Sequence, residues 1–397
     1  MEFDLLISGA GPAGLCLARA LADTGLTIGL VEQQPEEALR EAAFDGREIA
    51  LTQRSASLMR ELGLWKRIQD VDGAAFSPLR DARVFNGSSP FAMLIGHTLT
   101  NRSELGWLVS NHHIRRAAYA EVKAAAEEHG RITLMTGQPI THVLAQGEGE
   151  MTEVLLADGT THRARLLVAA DSRFSPTRRA MGVGASMHDF GRTVLVARFS
   201  HTASNENTAY ECFSYGRTIA LLPLGEHMTN CVITIDNRRL HEITELSPEA
   251  LAADLEQRLQ GRLGQMTPAG STHTYPLVGV HARRFSARRT ALIGDAAVGM
   301  HPVTAHGFNL GLASADILAG LIVQAAASGQ DIADTKLLEK YEAKHILHTR
   351  ALYHGTNFVV KLFTNETPPA KFLRNTVLRL SNHLPPVKKL ITKQLTG

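Results

Sequence analysis

Cysteine is scarce in this sequence, and the net charge is small. Only Cys16, Cys212 and Cys231 occur among 397 residues. They lie too far apart for a CxxC redox pair, a zinc framework or the disulfide scaffold of a small secreted protein. We therefore expect buried thiols in a reducing compartment, and no metal site. The formal net charge of +2 argues against a dedicated nucleic-acid-binding protein.

Segments for targeting or membrane insertion are not evident. No apolar run approaches the roughly 20 residues that a membrane-spanning helix needs. No signal peptide is visible, since the first apolar strand begins at residue 3. These absences predict a cytoplasmic protein. The apolar fraction of 44% is typical of a globular chain, and the length leaves room for about two or three core-forming units.

The N-terminal segment carries the most informative pattern that is present. Residues 9–14 read GAGPAG, between an apolar run and the helix-forming residues 15–21. Gly9 permits a tight turn, Gly11 lets the backbone approach a pyrophosphate, and Gly14 lets the helix pack closely on the strand. The pattern predicts a strand–turn–helix unit whose helix N-terminus binds a dinucleotide.

The acidic residue after the second strand narrows the choice of nucleotide. Residues 27–31 form an apolar run that ends in Glu32, where a carboxylate can accept hydrogen bonds from a ribose 2′-hydroxyl. An acid at this point favours FAD or NAD, because it would repel a 2′-phosphate. The alternative, a glycine turn in an ordinary βαβ unit, does not require this acid.

The remaining pattern predicts an α/β protein with an insertion. Residues 166–170 and 290–294 read as buried parallel strands that end in Asp171 and Asp295, whereas residues 182–275 are rich in strand signals. We predict a Rossmann-like FAD-binding domain with an inserted antiparallel β-sheet substrate domain and a C-terminal helical region. The predicted parts are the FAD-binding domain in three pieces (1–77, 101–181 and 276–345), substrate-domain strands (78–100), the antiparallel-sheet substrate domain (182–275) and C-terminal helices with a basic tail (346–397).

Three separated segments together resemble one family. The turn with Glu32, the strand-end Asp171, and the stretch from Gly294 through Pro302 to residues 307–311 recur together in class A flavoprotein aromatic hydroxylases, which share the para-hydroxybenzoate hydroxylase fold. The resemblance covers essentially the whole chain in the right order. Three further segments look most like the ubiquinone-biosynthesis hydroxylase branch: 45–51 (predicted as a loop), 105–111 and 219–224.

The resemblance implies a role for each matching residue. Asp295 accepts a hydrogen bond from a ribityl hydroxyl, and the N–H groups at the start of the following helix stabilise negative charge on the flavin ring. Pro302 stiffens the loop at the flavin C4a edge. His306 stands where the family often has glutamine, either as a proton-handling group or as a helix-entry residue. The implied cofactor-binding set is Gly9, Gly11, Pro12, Ala13, Gly14, Glu32, Gln33, Arg47, Asn111, Asp295, Gly307, Phe308 and Asn309, and the implied catalytic residues are Pro302 and His306.

The resemblance also implies a reaction. Non-covalently bound FAD is reduced by NADH, NADPH or an electron-donor protein, and a flavin C4a-hydroperoxide formed with O₂ then hydroxylates an electron-rich aromatic ring. The expected substrate is a polyprenylated phenol or quinol of ubiquinone biosynthesis, with residues 219–224 lining its pocket. Two alternatives stay open: a hydroxylase of a small soluble aromatic compound, and a non-catalytic flavin-bearing docking subunit of a biosynthetic complex.

The C-terminal segment breaks the charge balance. Residues 361–397 carry seven Lys or Arg and one acid, Glu366, interleaved with apolar residues. Such a segment can lie on an anionic membrane surface or dock on a partner. Alternatively, it is a helix that packs on its own domain and exposes a basic face. The first interpretation predicts peripheral association with the inner face of the membrane or with a biosynthetic complex.

Overall fold

The protein is described by a computed structural model that covers residues 1–70, 76–86, 92–99, 102–144, 151–213, 217–300 and 307–364. The first sheet contains β1 (Glu2–Ser8), β2 (Ile28–Glu32), β8 (Ile132–Thr136), β9 (Ile140–Leu144), β10 (Thr152–Leu156), β11 (Thr161–Ala169), β18 (Ser286–Ala287) and β19 (Thr290–Leu292). The second contains β5 (Asp81–Asn86), β6 (Ala92–Gly96), β12 (Ala185–His201), β13 (Thr208–Phe213), β14 (Thr218–Pro223), β15 (Met228–Asp236), β16 (Met266–Pro268), β17 (His273–Ala282) and β20 (Val298–Gly299). A small third sheet contains β3 (Glu48–Thr52), β4 (Phe76–Leu79) and β7 (Gly106–Ser110). The helices are α1 (Pro12–Leu21), α2 (Glu36–Arg40), α3 (Gln53–Glu61), α4 (Leu64–Gln69), α5 (Asn111–His129), α6 (Pro176–Ala180), α7 (His241–Thr244), α8 (Pro248–Arg258), α9 (Gly307–Ala327) and α10 (Thr335–Thr364).

The first sheet has a parallel centre in the order β19-β11-β1-β2-β8. Leu5, Leu6 and Ile7 of β1 are fully buried, because both faces of a central parallel strand are covered. α1 connects β1 to β2, as the glycine turn predicts. Since β2 and β11 flank β1, the turn after β1 lies where the strand order reverses, which is the usual ligand-binding position in an open α/β sheet.

Helix α9 corrects one expectation. It has 21 residues and a mean hydropathy of 1.7 in its most apolar window, so it is long and apolar enough to span a membrane. The prediction that no apolar run approaches that length is therefore wrong. More than half of that window, 56%, is buried inside the protein, and α9 packs against α1, α3 and α10. A helix surrounded by other elements is apolar on most sides, so burial accounts for its composition.

The second sheet presents two different faces. Its strand order is β20-β17-β12-β15-β14-β13-β5-β6. On the outer face, Phe199, Leu221 and Ile233 pack against α7 and α8 in one apolar cluster. On the inner face, Val196 and Val232 lie directly opposite one another on adjacent strands. The carbonyl oxygen of Gly46 accepts a hydrogen bond from the inner-face residue Asn230 at 3.0 Å, so the segment around Gly46 lies against this face.

Three local predictions differ from the structure. The predicted loop 45–51 includes most of β3, which forms because Glu48 to Thr52 pair with Ser110 to Gly106 of β7. The predicted strand 290–294 ends at Leu292, and Asp295 lies in the 3-10 turn Gly294–Ala296. Finally, the single helix α10 runs across the predicted domain boundary at residues 345 and 346.

Candidate functional site

The turn after β1 requires glycine at two positions and leaves space at a third. Gly9 has a φ of +105°, and a Cβ on it would lie 2.6 Å from the Cα of Asp171. A Cβ on Gly14 would lie 2.1 Å from the carbonyl oxygen of Gly9. By contrast, a Cβ on Gly11 meets nothing within 4 Å in the part of the chain that the structure describes. Gly11 is also the N-cap of α1 and makes no side-chain cap, so this helix end has the space and the N–H donors that a pyrophosphate needs.

Glu32 lies beside this turn. Its Oε2 accepts a hydrogen bond from the Ala10 N–H at 2.8 Å, and its Oε1 accepts one from the Gln34 N–H at 2.9 Å. These two bonds hold the carboxylate at the carboxyl end of β2, next to the glycine turn. Gln33, the next predicted residue, is exposed. The arrangement fits the ribose of a dinucleotide whose pyrophosphate lies at Gly11.

Small residues bring the N-terminal ends of α1 and α9 together. Gly294 has a φ of +59°, and a Cβ on it would lie 2.9 Å from the Cβ of Ala13. A Cβ on Gly311 would lie 3.4 Å from the Cα of Gly294. Ala13 and the turn that carries Asp295 are therefore in van der Waals contact. The predicted residues around Ala13 and around Asp295, which are far apart in the sequence, therefore line one region of the structure.

Asp295 forms an ion pair that the sequence did not suggest. Its Oδ2 lies 3.0 Å from Nη2 of Arg173, and its side chain remains 38% exposed. Arg173 also donates to the Val278 carbonyl at 3.2 Å, while the buried Arg178 donates to the carbonyls of Arg173 and Ala296. This network fixes the position of the Asp295 carboxylate at the end of the first sheet.

Arg47 and Asn111 are joined by Asp45, a residue outside the predicted set. Oδ2 of Asp45 lies 2.6 Å from Nη2 of Arg47 and accepts a hydrogen bond from Nδ2 of Asn111 at 2.8 Å. Burial raises the pKa of Asp45, but the bonds and charge of Arg47 and the Asn111 amide outweigh it, so this pKa lies below its ordinary value. Burial likewise lowers the pKa of Arg47, but Asp45 outweighs it, with further contributions from Tyr275 and Asp295, so this pKa lies above its ordinary value.

Asn309 connects the start of α9 to β3. Its Oδ1 accepts a hydrogen bond from the Thr52 N–H at 3.1 Å, and its Nδ2 donates to the Ala50 carbonyl at 2.8 Å. Phe308 packs against the main core. A Cβ on Gly307 meets none of the described residues within 4 Å, as at Gly11. The predicted catalytic residues Pro302 and His306 lie outside the described residues.

A buried ion pair connects β3 to the inner face of the second sheet. The Glu48 side chain is completely buried, accepts a hydrogen bond from Nε of Arg198 at 3.1 Å, and accepts another from Ser110 Oγ at 3.0 Å. Burial raises the pKa of Glu48, and the opposing effects of Arg198 and Ser110 do not cancel it. The Arg198 guanidinium also lies 4.4 Å over the ring of Phe44. No local motif marks this pair, because its members are 150 residues apart.

Only half of the predicted lining strand faces inward. In β14, Ile219 and Leu221 belong to the outer apolar cluster. Ala220 and Leu222 point to the opposite face, since side chains alternate along a strand, and they are partly exposed. The inner face therefore receives two of these residues.

Comparison with known proteins gives a consistent result. The FAD binding domain family matches residues 2–356. The chain is 54% identical to ubiquinone hydroxylase UbiM of Neisseria meningitidis over 401 aligned positions, covering 100% of this chain and 85% of the relative. It is 32% identical to ubiquinone hydroxylase UbiL of Rhodospirillum rubrum, covering 99% and 89%. The crystal structure of p-nitrophenol 4-monooxygenase PnpA from Pseudomonas putida matches with a TM-score of 0.76 at 16% identity, covering 100% and 99%.

These matches confirm the predicted family, the fold class and FAD as the cofactor. The glycine turn, the Glu32 carboxylate and the starts of α1 and α9 fit that cofactor. The chain belongs to the family of FAD-dependent aromatic-ring monooxygenases that includes the ubiquinone hydroxylases.

Proposed function

We propose that this protein hydroxylates the ring of a polyprenylated phenol or quinol during ubiquinone biosynthesis, using O₂ and NADH or NADPH. The observation that carries the proposal is the 54% identity, over the whole chain, to a ubiquinone hydroxylase. The Rossmann-type motif occurs once in the sequence. The pyridine nucleotide therefore binds transiently on the same domain, or an electron-donor protein replaces it.

The residues around the glycine turn would hold FAD in one orientation. The N–H groups at Gly11 and Ala13 bind the pyrophosphate, Glu32 binds the adenosine ribose, and Asp295 binds a ribityl hydroxyl. The N–H groups at the start of α9, beginning at Gly307, would stabilise negative charge on the flavin ring. Bound FAD supplies the activation of O₂ and the transfer of one oxygen atom to the substrate. The protein orients the two rings and excludes water from between them.

The basic C-terminal segment, residues 361–397, would bring the protein to its lipophilic substrate. Each Lys or Arg near an anionic surface contributes on the order of 1 kcal/mol, and salt screens this attraction. We propose peripheral association with the cytoplasmic face of the membrane. Charge reversal of Lys388, Lys389 and Lys393 to Glu should reduce binding to anionic liposomes in a salt-dependent way and spare turnover of a short-chain substrate. Unchanged binding to anionic liposomes would contradict the membrane association, and unchanged binding to native partners as well would favour a packed structural element.

Quinone profiling of a deletion strain tests the function directly. The strain should accumulate a prenylated intermediate that lacks a ring hydroxyl, and its mass and fragmentation identify the missing step. The wild-type gene should restore the quinone. A Gly11→Val gene should not, because the added side chain occupies the space at the pyrophosphate position. A deletion strain with an unchanged quinone profile would contradict the proposal.

A further inference from the structure

One acidic side chain on the inner face of the second sheet has no assigned role. Glu211 lies in β13, directly opposite Ala220 of β14 and Val84 of β5. Its sequence neighbours Tyr210 and Cys212 belong to the outer apolar cluster. Because side chains alternate along a strand, Glu211 points to the inner face.

One oxygen of the Glu211 carboxyl group is buried. This atom, Oε1, is inaccessible to solvent and has no hydrogen-bond partner in the described part of the chain, while the residue as a whole is half-buried. Its in-register neighbours Val84 and Ala220 are apolar, as is Phe213 two residues along the strand. Burial alone raises the pKa of Glu211 to about 8. An unpaired buried carboxyl destabilises the fold, so its presence here calls for a function.

The register places Glu211 on the same face as the candidate cofactor segment. Ala220 lies opposite Val232, and Val232 lies opposite Val196, so these residues and Glu211 form one row across β12, β15, β14 and β13. A Cβ on Gly46, next to Arg47, would lie 2.7 Å from Val196. Three strand spacings separate Val196 from Glu211, about 14 Å. That span is wide enough for an aromatic ring and its substituents to lie across Val232 and Ala220.

We propose that Glu211 is a catalytic residue that binds the phenolic hydroxyl of the aromatic substrate and takes its proton. The inference rests on the proposed function, because it requires a substrate with a ring hydroxyl. Val84, Ala220 and Val232 offer the ring an apolar surface, and the Glu211 carboxyl group lies at the β13 end of this row. The geometry thus orients the hydroxyl toward β13 and the rest of the ring toward β15.

The proton transfer balances as follows. The O–H bond of the phenol breaks, its proton moves to Glu211, and the electron pair stays on the phenolate oxygen, where it is delocalised to the ortho and para carbons. One of these carbons gains an oxygen atom derived from O₂, and the other atom of O₂ leaves as water at the expense of the reductant. The ring carbon then loses its hydrogen as a proton, and the phenolate oxygen regains a proton from Glu211, which restores the aromatic phenol.

The environment of Glu211 suits this step. A phenol has a pKa of about 10, so transfer to an ordinary carboxylate is strongly unfavourable. The raised pKa of Glu211 brings the pKa values of the phenol and the carboxyl group much closer together, which favours general base catalysis.

The test uses full-length protein with bound FAD and three variants: Glu211→Gln, Glu211→Asp, and the control Glu226→Gln in an exposed turn of the same sheet. The probes are 2-prenylphenol, its O-methyl ether and a ring-fluorinated 2-prenylphenol of lower pKa. Hydroxylated product is measured directly, after flavin absorbance and thermal unfolding establish that each variant is folded and loaded.

We expect Glu211→Gln to lower turnover of 2-prenylphenol about 100-fold, with the Asp variant intermediate and the control unchanged. With the fluorinated phenol, the Gln variant should reach at least a tenth of the wild-type rate, because this phenol ionises without a protein base. In the wild type, kcat/KM should rise through a pKa near 8, and the Gln variant should lack this rise. Two results would overturn the role of Glu211. One is a Gln variant that turns over 2-prenylphenol as fast as the wild type does, and the other is an equal change of rate in both proteins when the fluorinated phenol replaces 2-prenylphenol. A wild-type protein that hydroxylates none of the phenols would overturn the proposed function itself.

Discussion

The glycine turn around Gly11 and the inner face of the second sheet are stabilised in opposite ways. Around Gly11, the structure depends on close packing of backbone and small side chains, since a Cβ on Gly14 would lie only 2.1 Å from the Gly9 carbonyl oxygen. At the inner face of the second sheet, it depends on charged or ionisable groups: Arg198 and Glu211 of this sheet, and the buried Glu48 of β3 that pairs with Arg198. The first region is fixed by steric exclusion and the second by electrostatics. Substitutions should therefore fail in different ways in the two regions.

The largest expected effect is a difference between substitutions at Gly14 and at Gly11, two glycines of the same turn. Gly14→Val should destabilise the protein by more than about 3 kcal/mol, because the new side chain collides with the Gly9 carbonyl. Gly11→Val should change the free energy of unfolding of the flavin-free protein by less than about 1 kcal/mol and still abolish FAD binding. Chemical unfolding and flavin absorbance measure both effects. Flavin retained by the Gly11 variant would show that the pyrophosphate lies elsewhere.

The second expected effect concerns the buried ion pair. Arg198→Met leaves Glu48 buried without its partner and should cost about 3–5 kcal/mol. A double variant, Glu48→Met with Arg198→Met, should recover most of that loss, since neither charge then remains buried. Urea unfolding of both variants checks this. If the double variant is no more stable than Arg198→Met, the packing of these side chains, and not their charge, holds β3 to the second sheet.

The third prediction is a pH dependence of stability caused by Glu211. Its pKa rises from 4.5 to about 8 on folding, so the folded state binds the proton more tightly. Glu211 therefore lowers stability progressively as pH increases from about 4.5 to about 8, and its cost is constant above that range. Glu211→Gln should match the wild type at pH 5 and melt a few degrees higher at pH 9. Equal melting temperatures at pH 9 would contradict the raised pKa.

The smallest expected effect is at Asp295. Asp295→Asn keeps the size of the side chain but weakens the ion pair with Arg173 and the acceptor for a ribityl hydroxyl. We expect FAD to dissociate about ten times more readily, equivalent to about 1.4 kcal/mol, with little change in the stability of the flavin-free protein. Arg173→Met is the matched control. If both variants retain FAD like the wild type, the carboxylate serves only to fix the turn.

The same contrast explains what the sequence could predict. The glycine turn and Glu32 are recognisable because backbone geometry demands particular residues at short fixed spacings. Asp45 was missed as a site residue because its importance comes from contacts with Arg47 and Asn111 that form only in the fold. The Glu48–Arg198 pair could not be predicted, since strand pairing brings together residues 150 positions apart. The hydropathy of α9 is hard to recognise in the sequence because small residues that are also buried, such as Gly311 and Ser314, lie between its large apolar residues.

The amide of Asn309 determines when the site can be completed during translation. It ties α9 to Thr52, 257 residues earlier. The glycine turn is among the first residues to leave the ribosome, whereas α9 follows only after most of the chain has been synthesised. The second sheet, which ends at Gly299, emerges before α9 does, and domains fold largely in the order of their synthesis. A nascent chain can therefore form its second sheet before Asn309 ties α9 to β3. We expect a chain that ends before residue 309 to be colourless, because β3 then lacks its contact with α9.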